Sequence, residues 1–225
     1  MDKSVLKGKL LDAVEARADD IIAVGQWIWR NPEVGFKEHK TAEYTSSIFK
    51  GLGLEVEEKI GLTGLQTVIK GRDDRPNIAV IGELDALTIP EHPDSDPVTG
   101  SVHSCGHNGQ MANMIGVAMA LVDSGIMEHL DGSVTCMAVP AEEPIDIEWR
   151  RELYSEGKLY FLGGKQEFIK DGYFQDVDIS LANHMATNTD WKIAVRGGEG
   201  PQPGGVGFMG KMIRFKGAEA HSGAA

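Results

Sequence analysis

Cys105 and His107 stand two residues apart in HSCGHNGQMA (His103–Ala112), where an apolar run begins. A thiolate and an imidazole that close can be turned by one loop toward a single divalent ion. The same pair admits a nucleophilic reading, with the Cys105 thiolate activated by His107 and a helix N-terminus. A polar loop without chemistry is the third possibility. Further along, VPAEEP carries the pair Glu142–Glu143. One carboxylate can bind an ion while its neighbour takes a proton from water, although such a pair is more often a solvated turn. His184 follows the apolar stretch DISLAN and is a ligand or a core histidine. Glu83 and Asp85 follow IAVIG. A metal site uses all of these groups. A cysteine nucleophile leaves the glutamates and His184 idle, and residues two apart seldom reach thiol-to-imidazole geometry, so it ranks second.

These groups need elements to position them. Leu6, Leu10, Val14, Ala18, Ile21, Val24 and Ile28 keep helical spacing, which predicts one long amphipathic helix ending before Asn31-Pro32. A second helix is expected over Thr41–Leu52, with Gly51 and Gly53 as stop signals. LEVEEKI and LQTVIK alternate as half-exposed strands, and Ile78–Ile81 suits a strand buried on both faces. A loop rich in Pro, Asp and Ser runs from Thr88 to about Val102. MANMIGVAMALVDSG then reads as a helix ending at Gly125, GSVTCMAV and VDISLAN as strands, and GGKQEFIKDG as a short helix between them. Strands alternating with helices predict an α/β fold with a largely parallel sheet. In such sheets functional groups gather at the carboxyl ends of strands, where all four candidate stretches fall.

The 225 residues are 41% hydrophobic and 25% charged, an ordinary globular balance. With 22 Lys and Arg against 34 Asp and Glu, the formal charge is −12, which disfavours nucleic acid and a polybasic membrane surface. No apolar stretch approaches the roughly 20 residues of a membrane span, and the charged N-terminus lacks a signal peptide's apolar block. Two cysteines give no disulfide framework, so a cytoplasmic setting is expected. RGGEGPQPGGVG reads as a linker, and GFMGKMIRFKG and AHSGAA as a strand and the start of a helix. The expected division is a first domain over residues 1–200 and the beginning of a second, truncated one over 201–225.

RNPEVGFKEHKTAEY, GELDAL, HSCGHNGQMA, VPAEEP, DISLANHM and FKGAEAHSG occur in an order that resembles the M20-type metallo-amidohydrolases. The likeness is to the branch of aminoacylases, N-acyl-amino-acid and auxin-conjugate hydrolases, and p-aminobenzoyl-glutamate hydrolase subunits. It implies a zinc-peptidase-like three-layer α/β catalytic domain, incomplete here, followed by the start of an α+β ferredoxin-like lid through which subunits form homodimers. It implies one or two divalent ions, Zn²⁺ or Mn²⁺, held by Cys105, His107, Glu143 and His184. Glu142 would be the general base, His221 of the lid would stabilise the oxyanion, and Asp85 would support the metal site from behind. Where many members of the branch read CGHDGH, this chain has Asn108 and Gln110, so Asn108 is expected to orient a ligand as an amide. The implied activity is hydrolysis of an amide bond in an N-acyl or aryl-amide amino-acid conjugate, by metal-activated water. The alternatives are a metallo-dipeptidase or carboxypeptidase of the same fold, or a truncated relic serving as an interaction module. The family's second half supplies a last ligand histidine, so this stretch alone is expected to be inactive.

Overall fold

The computed structural model describes residues 1–185, 213 and 215–217. The 200/201 boundary, the linker, most of the strand expected near residue 210 and His221 lie outside the described residues. Met1–Met185 forms one compact unit.

The expected N-terminal helix is two: α1 (Lys3–Ala16) and α2 (Ala18–Arg30). The break falls at Arg17, whose φ of −101° and ψ of 7° leave the helical region. Asp19 and Asp20 then occupy the first turn of α2, where carboxylates favour a new helix start. Arg17 fixes the corner by binding Asp20 at 2.8 Å and Asp123 at 2.6 Å. The next helix, α3 (His39–Gly51), starts two residues before its expected position. Glu33 explains the start: its carboxylate accepts from the Thr41 N–H at 2.9 Å and from the Thr41 hydroxyl at 3.0 Å.

The strands are β1 (Val56–Ile60), β2 (Gly64–Lys70), β3 (Asn77–Glu83), the two-residue β4 (Leu87–Thr88) and β5 (Ser101–Val102), β6 (Ser133–Val139) and β7 (Ile179–Ala182). Between them lie α4 (His107–Ser124), a 3-10 turn (Ile126–His129), α5 (Ile147–Ser155) and α6 (Gly164–Lys170). β4 and β5 pair with each other and close the long loop at its base. The other five form one sheet in the order β1-β2-β6-β3-β7. Pairing is antiparallel for β1–β2 and β2–β6, and parallel for β3–β6 and β3–β7. The sheet is therefore mixed rather than largely parallel. A three-residue turn joins β1 to β2, which only an antiparallel pair permits.

Alternation along β3 and β6 divides the core. Val80, Val134, Cys136 and Ala138 face the layer of α1–α4, packed with Met111, Met114, Ile115 and Phe49. Ala79, Ile81, Met137 and Val139 face the other side, where Phe168 of α6 and Tyr173 cover them. Helices on both faces make three layers. α4 is apolar nearly all round because it lies between the sheet and α1–α2, and each of its buried large side chains, such as Met111, Met114 and Ile115, stabilises by about 1.5–3 kcal/mol. α5 was not expected; Leu153 packs with Phe36 and Ala141 beyond the end of the sheet.

Candidate metal centre

β3 lies between β6 and β7, all three running the same way. Their carboxyl ends therefore release three loops side by side, where the connection from β3 to β6 and the connection from β6 to β7 cross opposite faces of the sheet. Glu83 is the last residue of β3 and Asp85 follows it; Glu142–Glu143 follow β6; His184 follows β7. The fourth contribution comes from the start of α4. There Gly106 takes a φ of +90°, and a Cβ on it would come 2.5 Å from Cγ of Met185. Only glycine accepts that turn without strain, and the turn carries Cys105 and His107 to one place.

The loop after β6 is set by a similar device. Ala141 is fully buried with a φ of +52°, a left-handed conformation unusual for a residue with a Cβ. Its N–H donates to Oε1 of Glu38 at 2.8 Å, while the Thr63 hydroxyl donates to Oε2 at 2.5 Å. Burial, with the charge of Asp85 adding to it, pushes the Glu38 carboxyl up to about 8. Two residues after Ala141, the Glu143 N–H donates to Oδ2 of Asp85 at 2.8 Å.

His107 is buried between two carboxylates. Its Nδ1 faces only acceptors, the Asp85 carbonyl at 2.9 Å and Asp85 Oδ1 at 3.3 Å. A proton therefore belongs on Nδ1, and Nε2 is left to serve as a ligand. Nε2 lies 2.9 Å from Glu83 Oε2 yet is not aligned with any hydrogen-bond partner. Burial alone would lower the affinity of this ring for a second proton. Asp85 and Glu83 outweigh it, so the imidazole is held at about 10 when no ion is bound, and a cation at Nε2 would take the place of that second proton. The same contacts act on Glu83: burial opposes ionisation, but His107 and then Lys165 bring it down to about 2.

Cys105 Sγ is 3.3 Å from His184 Nε2, and the donor atoms of Cys105, His107 and His184 all lie within 4.8 Å of one another. Glu143 lies beside them; its Oε1 is buried without a hydrogen-bond partner. The thiol is pushed up to about 12, by burial first and then by Glu143, Glu142 and Glu83. A nucleophilic cysteine needs the opposite surroundings, with cations that favour its thiolate. Soft and borderline donors crowded by carboxylates, with buried polar atoms unpaired, fit a divalent cation. Glu142, at 35% exposure, stands 3.9 Å from His107 Nε2. Burial and then Glu83 raise its carboxyl above the ordinary value.

The structure thus brings Cys105, His107 and His184 together, with Glu142, Glu143 and Asp85 around them. Asn108 differs from expectation: its amide donates to the Gly25 carbonyl at 3.3 Å, tying α4 to α2. The Gln110 Oε1 accepts from the Glu83 N–H at 2.8 Å and ties the first turn of α4 to the end of β3. His103, read from sequence as loop, is in a loop but only 1% exposed, with both ring nitrogens unpaired. Burial, with His107 adding to it, lowers it to about 4, so it is neutral. Sequence reasoning also missed Glu38, Lys165 and Arg150. Arg150 is wholly buried on α5, donates to the Leu162 carbonyl at 2.8 Å, and sits 5.3 Å from the centre of the Phe36 ring. The one signal for it was the polar insert between AEEP and GGK.

No protein-family model matches the chain. Thermostable carboxypeptidase 2 of Saccharolobus solfataricus is 30% identical over 184 residues, which are 80% of this chain and 42% of that protein. IAA-amino acid hydrolase ILR1-like 2 of Arabidopsis thaliana is 26% identical over 225 residues, 97% of this chain and 46% of that protein. Among solved structures, the YXEP protein of Bacillus subtilis, described as a dinuclear metal binding peptidase from the M20 family, matches with a TM-score of 0.59 and 27% identity. That match covers 74% of this chain and 42% of the other. The chain belongs to the M20 amidohydrolase family. It spans less than half the length of the curated relatives it matches.

Proposed function

We propose that the protein is a metal-dependent hydrolase that cleaves the amide bond of an N-acyl or aryl-amide amino-acid conjugate. The observation that carries the reading is the convergence of Cys105, His107 and His184 within 4.8 Å, beside Glu142 and Glu143. Cys105, His107, Glu143 and His184 would hold a Zn²⁺ or Mn²⁺ ion. When bound, such an ion polarises a carbonyl oxygen and lowers the pKa of water. Glu142 accepts a proton from the attacking water and returns it to the leaving amine nitrogen. Asp85 holds His107 through Nδ1 and Glu143 through its N–H, which keeps both in place during the reaction. His221 is assigned to charge stabilisation on the substrate oxygen, and the lid to a homodimer contact.

The relative acting on IAA–amino acid conjugates supports a conjugate as substrate. The carboxypeptidase relative supports a second reading, cleavage of a C-terminal peptide bond. Both use the same residues. A panel of N-acyl amino acids, aryl amides and peptides, assayed with and without chelator, separates them. Chelator-sensitive cleavage of N-acyl or aryl-amide substrates, restored by zinc or manganese, is the expected result. Hydrolysis that survives chelation and stops on alkylation would overturn it in favour of a cysteine nucleophile.

A further inference from the structure

Glu142 stands on a loop with its side chain 35% exposed, so something must fix where its carboxylate points. Its two oxygens face different groups. Oε2 lies 3.9 Å from Nε2 of His107, the nitrogen left to serve as a ligand, and Oε1 lies 3.8 Å from Nζ of Lys165. No other ion pair reaches Glu142 among the described residues. Lys165 is held more firmly than an ordinary surface lysine. It is the second residue of α6, and the first, Gly164, is buried against Pro140. A Cβ on Gly164 would come 2.0 Å from the Pro140 carbonyl oxygen, so only glycine lets the first turn of α6 lie this close to the end of β6. From there the ammonium donates to Oε1 of Glu83. Glu83 is itself fixed: it is 4% exposed, its N–H donates to Gln110, and its Oε2 faces His107. A buried carboxylate needs a fixed counter-charge, and the ammonium that supplies it is thereby fixed beside Glu142.

We propose that Lys165 is the positioning residue of the general base: it holds Oε1 of Glu142 and leaves Oε2 turned toward the attacking water. The inference rests on the reading of Glu142 as that base. In the step it serves, a water O–H bond breaks, the proton goes to Oε2, and the oxygen bonds to the amide carbonyl carbon. The proton then passes to the leaving nitrogen as the C–N bond breaks. Lys165 keeps its own protons throughout; its fixed charge keeps Glu142 ionised and in one rotamer before the water arrives. Lys165 acts only through Glu142, so its expected signature is a loss of kcat that disappears once Glu142 can no longer accept a proton.

The test is a double-mutant cycle on the panel substrate that the protein cleaves fastest, with metal content measured on every form. Lys165→Gln keeps a donor for Glu83 and removes the charge. It should lower kcat about 10–100-fold, the usual effect of a misplaced catalytic group, with KM and metal content unchanged. Lys165→Arg should recover most of the loss. Added to Glu142→Gln, Lys165→Gln should cost nothing further, because the group it positions is already disabled. A second measurement needs neither activity nor a variant: nitrogen-15 relaxation of the lysine ammonium groups should show Lys165 ordered and the exposed Lys3, Lys7 and Lys9 mobile. An unchanged kcat in Lys165→Gln, a full further loss on top of Glu142→Gln, or loss of metal in Lys165→Gln overturns the inference and leaves Glu142 as the base. So does a Lys165 ammonium as mobile as the exposed ones. Undiminished hydrolysis by Glu142→Gln, or no hydrolysis by the wild type, removes the base itself, and the inference with it.

Discussion

The N–H of Glu143 donates to Oδ2 of Asp85 at 2.8 Å, across 58 residues of sequence. The other side of Asp85 meets His107 Nδ1, through its carbonyl at 2.9 Å and Oδ1 at 3.3 Å. One aspartate therefore sets the orientation of two proposed ligands, one in the loop after β6 and one at the start of α4. Asp85→Ala removes both carboxylate contacts and should weaken metal binding about 10–100-fold, the usual effect of losing such support. Competition with a fluorescent chelator measures it, and unchanged affinity would detach Asp85 from the site.

Glu142→Gln keeps the shape of the side chain and removes its ability to accept a proton. Hydrolysis of a cleavable amide by the protein should fall about 10²–10⁴-fold, with metal content unchanged. A variant as active as the wild type would end the general-base assignment. Loss of metal together with activity would make Glu142 a ligand.

Cys105→Ala and His184→Ala each remove one of a pair 3.3 Å apart. Bound zinc or manganese should drop to background in both, measured by elemental analysis after gel filtration. Full metal retention in both variants would place the ion elsewhere.

Glu38 gives a pH dependence with a definite sign. Its carboxyl, at about 8 in the fold against 4.5 for the ordinary group, binds a proton more tightly folded than unfolded. Its contribution is therefore complete below about pH 4.5 and is lost as pH rises through about 8. Within that window the stability of the wild type relative to Glu38→Gln should decline by up to about 1.4 kcal/mol per pH unit. Urea denaturation of the metal-free proteins at stepped pH reads the difference. A flat difference between pH 5 and 8 would mean that Glu38 is ionised in the fold.

Gly106→Ala places a Cβ at a φ of +90° and 2.5 Å from Met185 Cγ. The backbone cost alone is roughly 1–2 kcal/mol. Metal affinity should fall as well, because the same turn aligns Cys105 with His107. A thermal shift and a metal titration on the one variant measure both effects.

Much of this was legible in the sequence because local pattern and function coincide there. The Cys-x-His spacing, the glutamate pair and the histidine after DISLAN each sit at a strand or helix end that periodicity locates. The less legible parts depend on tertiary partners. The break at Arg17 needs Asp123, more than a hundred residues away, to hold it. The antiparallel half of the sheet follows from which strand β2 chooses, and an alternating pattern does not specify a neighbour. Glu38 reads as one more charged residue of FKEHK, and only its burial against Ala141 and Thr63 gives it a role. Lys165 likewise looks like a solvated helix residue until β3 brings Glu83 beneath it.

The proposed ligands also share a history in folding. Cys105 and His184 are 79 residues apart and meet only when β7 pairs with β3. Closing loops of that length costs entropy before any contact repays it, so such contacts form slowly. A nascent or partly unfolded chain without that pairing has no site to offer. An ion that binds only the assembled donors acts as a thermodynamic clamp on the finished fold, adding about 4 kcal/mol at a free concentration a thousand times its Kd. The metal supply of the cell would then govern how long the protein survives as well as whether it works.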